Sequence, residues 1–303
     1  MSGSGWLSLL EELARAAGSE RCLAYDACPH EGLLFNIDGY SAEHSKLPWM
    51  TWEDFGWKAT VAAAADVIAS GGTPRAVMYS VGVSSPSEAL AIASGVGEAA
   101  HRLGALVLKA DTNRAREPWI DVAVVGDTGR PVGRRGARPG DYLVQVGLVG
   151  YGLVAELVLR GEASVEDAGR LLDYTRRPFL DPGLGRLISA CNASAASDNS
   201  DGWAFTISTL LDQRLDAEVD SIEAPSRVLD FIAGHYEDPE IALFDSKEDY
   251  TIAVAAGDEA SACILEGCKR LGAPCSVVGR MVEGSGRIKY GGVEVRVEGW
   301  EWF

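Results

Sequence analysis

Ser197-Asp198-Asn199-Ser200-Asp201-Gly202-Trp203 sets two carboxylates and two hydroxyls directly ahead of an apolar helical run, Phe205, Ile207, Leu210 and Leu211. One acidic residue is enough to cap a helix, by accepting free N–H groups and by its charge at the positive end of the dipole. A second Asp three positions on exceeds that need. Carboxylates held close together repel one another unless a cation sits among them, and an all-oxygen site suits magnesium. Four more aspartates, Asp26, Asp38, Asp66 and Asp111, stand beside small or apolar residues. Aspartates in such places are rarely buried without a partner or a metal. The pattern motivates a polynuclear magnesium site.

Around that stretch, the 303 residues are enough for two domains of ordinary size and a large core. The longest apolar stretch, 62–69, is short, alanine-rich and broken by Asp66, so no membrane partner is expected. The opening Met1-Ser2-Gly3-Ser4-Gly5 and the amphipathic Trp6, Leu7, Leu9, Leu10, Leu13 lack the basic and apolar regions of a signal peptide, which makes cytoplasm the expected location. A net charge of −17 argues against a nucleic-acid partner, because phosphate backbones need a basic face. Cys22, Cys28, Cys191, Cys263, Cys268 and Cys275 form no C-x-x-C pair; they read as thiols in a reducing compartment, without a structural zinc site.

Periodicity and punctuation predict an α/β chain. Helices are expected over 6–17, 51–70, 86–103, 183–191, 225–233 and 258–271, with shorter ones near 150–160 and 164–173. Strands are expected over 22–26, 33–38, 76–83, 106–110, 120–125, 142–146, 216–221, 250–256 and 276–281, and a hairpin about Gly291-Gly292. The Gly-, Pro- and Arg-rich stretch 126–141 reads as an interdomain connection.

In this order the segments resemble the thiamine-monophosphate kinase family, within the aminoimidazole ribonucleotide synthase (PurM-like) superfamily, over nearly the whole chain. Tyr25-Asp26-Ala27-Cys28 stands where the family has Gly-Asp-Asp-Ala-Ala. Asp38 ends the next strand, and His44 follows in the loop. Gly56-Trp57-Lys58-Ala59 and Ala65-Asp66-Val67-Ile68-Ala69-Ser70-Gly71-Gly72-Thr73-Pro74 match its long helix. Lys109-Ala110-Asp111-Thr112 takes the place of Gly-Gly-Asp-Thr, and the connection around Arg134 and Arg135 is similar to the family's. Asp198-Asn199-Ser200-Asp201-Gly202 matches Asp-x-Ser-Asp-Gly, Glu248-Asp249-Tyr250 matches Gly-Glu-Asp-Tyr, and Gly299-Trp300-Glu301-Trp302-Phe303 is similar to the family's terminus. Any one of these is common by chance; the shared order and spacing are what make the signal specific.

The resemblance implies a two-domain PurM-like fold. Residues 1–135 would form an N-terminal ATP- and magnesium-binding domain that dimerises, with strand 76–83 supplying part of the interface, and 136–303 a C-terminal α/β domain. It implies ATP- and Mg²⁺-dependent phosphorylation of thiamine monophosphate to thiamine diphosphate by a homodimer. Several magnesium ions would be held by Asp26, Asp38, Asp66, Asp111, Asp198 and Asp201, with Asp66 and Asp201 catalytic. Ala110, Asp111, Thr112, Arg134 and Ser200 would contact ATP; His44, Glu248 and Trp300 would contact the acceptor. Phosphoryl transfer is catalysed by positioning and charge neutralisation, which explains how a chain with four histidines and no evident triad could be an enzyme.

Taken singly, each residue has a plainer reading. Asp26 and Asp111 could form turns, His44 a loop, Glu248 a solvated strand start, Trp300 packing, and Arg134 surface charge. The chain also departs from the pattern at Tyr25, Lys109-Ala110 and Lys247, and the spacing from Asp38 to His44 is one residue short. The alternatives are a divergent nucleotide-binding relative with another acceptor, and a scaffold without turnover.

Overall fold

The computed structural model describes residues 4–297 and shows two sheets. The first contains β1 (Cys28–His30), β2 (Leu33–Ser41), β3 (Thr73–Val83), β4 (Leu106–Arg114) and β5 (Trp119–Asp127), in the order β1-β2-β5-β3-β4. The second contains β6 (Tyr142–Val146), β7 (Ala195–Asp198), β8 (Leu215–Val219), β9 (Ile252–Ala256), β10 (Cys275–Glu283), β11 (Ile288–Tyr290) and β12 (Val293–Glu294). It runs β12-β11-β8-β10-β6-β9-β7. Pairing is antiparallel except at β3–β4 and β8–β11. The architecture is mixed α/β, as the alternating segments predicted.

One helix, Trp52–Ala69, organises the first half. Thr51 and Asp54 close a reciprocal capping box at its start, and it is buried along nearly its whole length. Its small residues let it lie against β2, β3 and β5 on one side and against helix Pro86–Arg102 on another, and it also reaches helix Gly183–Ala190 and β7. β5 alternates strictly, sending Ile120, Val122 and Val124 inward. These residues join Val144, Val146, Ile252 and Val254 of the second sheet in one apolar cluster, so the two sheets share a core. Trp57 Nε1 donates to the Pro178 carbonyl at 2.7 Å, and Arg177 pairs with Asp54 at 2.7 Å, adding polar ties between the halves.

The other face of the first sheet is open. Leu33, Phe35 and Ile37 of β2 and Leu106 and Leu108 of β4 are exposed there, Ile37 by 68% and Leu106 by 69%. β3 lies between β5 and β4, inside the sheet.

Three expectations need correction. Residues 20–24 form a 3₁₀ helix (Glu20–Ala24) in place of a strand, because Cys22 N–H and Tyr25 N–H close tight turns onto Ser19 and Cys22. The helix expected over 164–173 is broken at Gly169, at φ 49°, into Val165–Ala168 and Leu171–Arg176. The cysteines are not all thiols. Cys22–Cys28 and Cys191–Cys263 are disulfides, while Cys268 and Cys275 are free. Cys191 closes helix Gly183–Ala190, which packs against the helix Asp258–Leu271 that carries Cys263, a proximity that sequence spacing does not encode.

Candidate active site

β2 places the first functional side chains. Leu34 is buried beneath helix Trp52–Ala69, so Asn36, Asp38 and Tyr40 share its face. Asn36 Nδ2 reaches Asp38 Oδ2 at 3.2 Å, Asp66 Oδ2 at 2.6 Å and the Ala63 carbonyl at 3.2 Å, tying the strand to the last turn of the helix.

Asp26 follows the 3₁₀ helix, inside the loop closed by Cys22–Cys28. Its side chain is fully buried and accepts from Arg134 Nε, from Ser197 Oγ at 3.0 Å and from the Asp198 N–H at 3.3 Å. The connection carrying Arg134 is held on both sides. The Arg134 N–H donates to the Ala24 carbonyl at 2.8 Å, and the Gly133 carbonyl accepts from Ala196 N–H at 3.0 Å. A side chain at 133 would bring Cβ to 2.7 Å from the Ala24 oxygen, so this approach needs glycine.

β7 then delivers Asp198, and carboxylate oxygens of Asp26, Asp66 and Asp198 lie within 4.8 Å of one another. Neither Asp198 nor Asp201 caps the following helix, Trp203–Leu210, which begins at Gly202 without a side-chain cap; Asn199 Oδ1 instead accepts the Gly202 N–H at 3.1 Å. The plain capping reading therefore fails.

A cavity of about 550 Å³ opens beside this group, and Asp38, Asp66, Asp198, Ser200 and Asp201 line it. His44, Lys58, Tyr40, Glu248 and Tyr250 line it too. His44 Nδ1 is 2.9 Å from Ser41 Oγ. Glu248 and Tyr250 take positive φ, 55° and 52°, and their N–H groups donate to the Ser200 and Asn199 carbonyls at 3.0 Å. Between them Asp249 is buried and accepts from Gly150 and Gly152 N–H at 2.8 and 3.0 Å.

Ala110, Asp111 and Thr112 are not brought to this group within one chain. They lie on the exposed strand β4, where Asp111 pairs with Ser80, Ser80 with Asp121 and Asp121 with Gly39. Asp111 thus shares the open face with Gly39, opposite to Asp38, and lies three strand spacings away, about 14 Å. Trp300 falls outside the described residues. Of the departures, Lys247 lines the cavity, whereas Tyr25, Lys109 and Ala110 do not.

The carboxyls pay for their crowding. Burial, the charges of Asp201 and Asp26 adding to it, pushes the Asp38 carboxyl up to about 6 despite the Asn36 hydrogen bond. Burial and then Asp26 push Asp198 up to about 8. Asp66 is held well above the ordinary range by burial, Asp38 and Asp198, and Asp201 is raised by burial against the pull of Arg134 and Lys247. Burial first of all keeps the phenols of Tyr40 and Tyr250 neutral, far above their usual range.

A testable consequence follows for metal-free protein. These carboxyls keep their protons to higher pH when folded than when unfolded, where they titrate near about 4. Their contribution to stability is full below that value and is lost as pH rises through 6 and 8. Thermal melts in chelator should therefore show Tm falling between pH 5 and 8.5. A flat or rising Tm would contradict the burial of like charges. An oxygen-only donor set, crowded enough to raise its own proton affinities, fits a hard divalent cation such as magnesium.

Residues 19–128 match the family described as AIR synthase related protein, N-terminal domain. The thiamine-monophosphate kinase of Pyrobaculum calidifontis is 30% identical over 273 residues, covering 90% of this chain and 88% of that protein. The chain belongs to the thiamine-monophosphate kinase family. The Mycobacterium tuberculosis thiamine-monophosphate kinase is 31% identical over 274 residues, covering 86% of this chain and 74% of its own length. Among solved structures, AaThiL complexed with AMPPCP and TMP superposes with a TM-score of 0.84 at 25% identity, covering 98% of this chain and 96% of that one.

Sequence reasoning assigned no role to Asn36, Tyr40, Lys58, Ser197 or Tyr250. Asn36 and Tyr40 were findable from period-two alternation around Asp38. Lys58 had a signal too, a lone cation in a helix of small apolar residues. For Ser197 the contact to Asp26 spans 171 residues, and nothing local announces it.

Proposed function

We propose that this chain transfers the γ-phosphoryl of ATP to thiamine monophosphate, giving thiamine diphosphate, with magnesium as the required metal. The observation that carries the reading is the gathering of Asp26, Asp66 and Asp198, with Asp38 and Asp201 beside them, at a cavity that also exposes His44 and Glu248. Family membership supplies the substrates.

Asp26, Asp38, Asp66, Asp198 and Asp201 would hold magnesium, which when bound offsets charge on the transferring phosphoryl oxygens. Asp201 and Asp66 act closest to the reaction, and Ser200 and Arg134 contact the nucleotide. His44 and Glu248 orient the acceptor, and Trp300 is assigned to it by the same resemblance. The acceptor phosphate is already ionised, so the residues need to position and neutralise, with no strong base.

Homodimerisation belongs to the same proposal. The exposed Leu33, Phe35, Ile37, Leu106 and Leu108 form an apolar sheet face of the kind that a second copy covers. Ala110, Asp111 and Thr112 lie on that sheet, so their contact with a nucleotide depends on the second copy. Light scattering at micromolar concentration is expected to give twice the 32.1 kDa chain mass; a monomer would remove both the dimer and these three contacts. The proposed units are an ATP- and magnesium-binding dimerisation domain, residues 1–135, and a C-terminal PurM-like domain, residues 136–303, whose Asp198, Ser200 and Asp201 reach the same cavity.

Among the described residues no helix is long and apolar enough to cross a membrane. A cytoplasmic setting rests on the biosynthetic role. Cys22–Cys28 and Cys191–Cys263 pull the other way, since reducing cytosol keeps thiols apart outside hyperthermophiles.

Incubation with ATP, Mg²⁺ and thiamine monophosphate, read by formation of thiamine diphosphate, tests the reading. Neither product nor calorimetric binding of thiamine monophosphate by the ATP-loaded protein would sink it.

A further inference from the structure

Lys58 is the most deeply buried cation in the cavity wall, its side chain 2% exposed. Its Nζ lies 2.6 Å from Glu248 Oε2 and 3.4 Å from the Ser45 carbonyl. One ammonium therefore joins three separate pieces of chain: helix Trp52–Ala69, the short helix Ala42–Ser45 that carries His44, and the loop that carries Glu248. Asp66 stands eight residues further along the same helix, a rise of about 12 Å, and both side chains line the cavity.

Packing does not account for a lysine here. Burying an ammonium carries a large desolvation cost even when it is paired, and an apolar side chain of similar length would fill the space without that cost. Glu248 is held at φ 55°, a conformation that costs a non-glycine residue free energy and persists only where its surroundings enforce it. Its side chain keeps 35% exposure in a cavity it helps to line.

We propose that Lys58 is a positioning residue for the acceptor: it fixes the Glu248 carboxylate and the His44 segment relative to one another, and the shared helix holds both in register with the aspartates. The inference rests on the acceptor roles proposed above for His44 and Glu248. The bound Lys58 ammonium restricts Glu248 to one rotamer and leaves it to meet a cationic or hydrogen-bonding group of the acceptor. Without it, Glu248 is free to turn toward solvent, and the acceptor must order it on binding.

The test begins with the unaltered enzyme, whose turnover of thiamine monophosphate establishes the parent reading. In Lys58→Met the KM for thiamine monophosphate should then rise about tenfold or more, the usual loss for a charge-assisted hydrogen bond. The KM for ATP should stay within about twofold and kcat within a few-fold, the pattern of lost ground-state binding. Lys58→Arg, which keeps a donor for Glu248, should recover a large part of the affinity. An unchanged acceptor KM, or equal rises for both substrates, would overturn the proposal. If Lys58→Met does not fold, Lys58→Gln keeps a donor without the charge, and the same split between the two KM values decides. Absence of turnover and of thiamine monophosphate binding in the unaltered protein would instead strike the parent reading.

Discussion

Asp201→Asn is expected to lower kcat by about a hundredfold or more, with little change in the KM for thiamine monophosphate. The substitution conserves volume and removes one charge at a residue that lines the cavity next to Ser200. Asp201 is not spent on capping helix Trp203–Leu210, so its loss leaves that helix start unchanged. An anionic phosphoryl group beside a bare carboxylate would be repelled; the arrangement makes sense with a cation between them, and Asp201 helps hold that cation. Contacts of this electrostatic kind are worth about a hundredfold to a thousandfold in rate. His44→Ala gives the contrast. Its effect should appear as a higher KM, because an acceptor contact formed before the transition state contributes to binding. Steady-state kinetics at saturating ATP and Mg²⁺ separate the two. A kcat for Asp201→Asn within threefold of the unaltered enzyme would place the transfer elsewhere.

Arg134→Met is expected to destabilise the fold by about 3 kcal/mol, because it strips the partner cation, itself about a third exposed, from a carboxylate that stays buried. Asp26 is that carboxylate: its side chain is completely buried, and it faces Asp66 and Asp198. Ser197 Oγ and the Asp198 N–H remain as donors but supply no positive charge. Denaturant titration in chelator measures the loss, and millimolar Mg²⁺ should restore a large part of it by replacing the missing cation. A loss below about 1 kcal/mol would show that Asp26 does not depend on Arg134 for its charge balance.

Much of this was legible in the sequence, for physical reasons. Helix Trp52–Ala69 announced itself by Thr51 and Asp54 at its start and by Gly71-Gly72 and Pro74 beyond its end, signals that act within one or two turns. Asp66 stood out because a carboxylate in a run of alanines needs a partner. β7 was not legible: Ala195, Ala196, Ser197 and Asp198 are all buried, and small residues buried on every side leave no alternation to read. Asp111 shows a second limit. Motif order placed it with the other aspartates, but which face of a sheet a residue occupies is fixed by register against neighbouring strands. That information lies in Ser80, Asp121 and Gly39, far away in sequence.

Asp26, Asp38 and Asp66 come from before the Gly-, Pro- and Arg-rich connection, and Asp198 and Asp201 from after it. Loading the site would therefore act as a clasp across the seam between the two sheets. A ligand that binds only the folded chain raises its stability with the logarithm of concentration, by about 2.7 kcal/mol at a hundredfold excess over Kd. Each turnover would tighten and then relax that seam as substrates arrive and products leave. The supply of metal and nucleotide would then govern how long the molecule lasts as well as how fast it works.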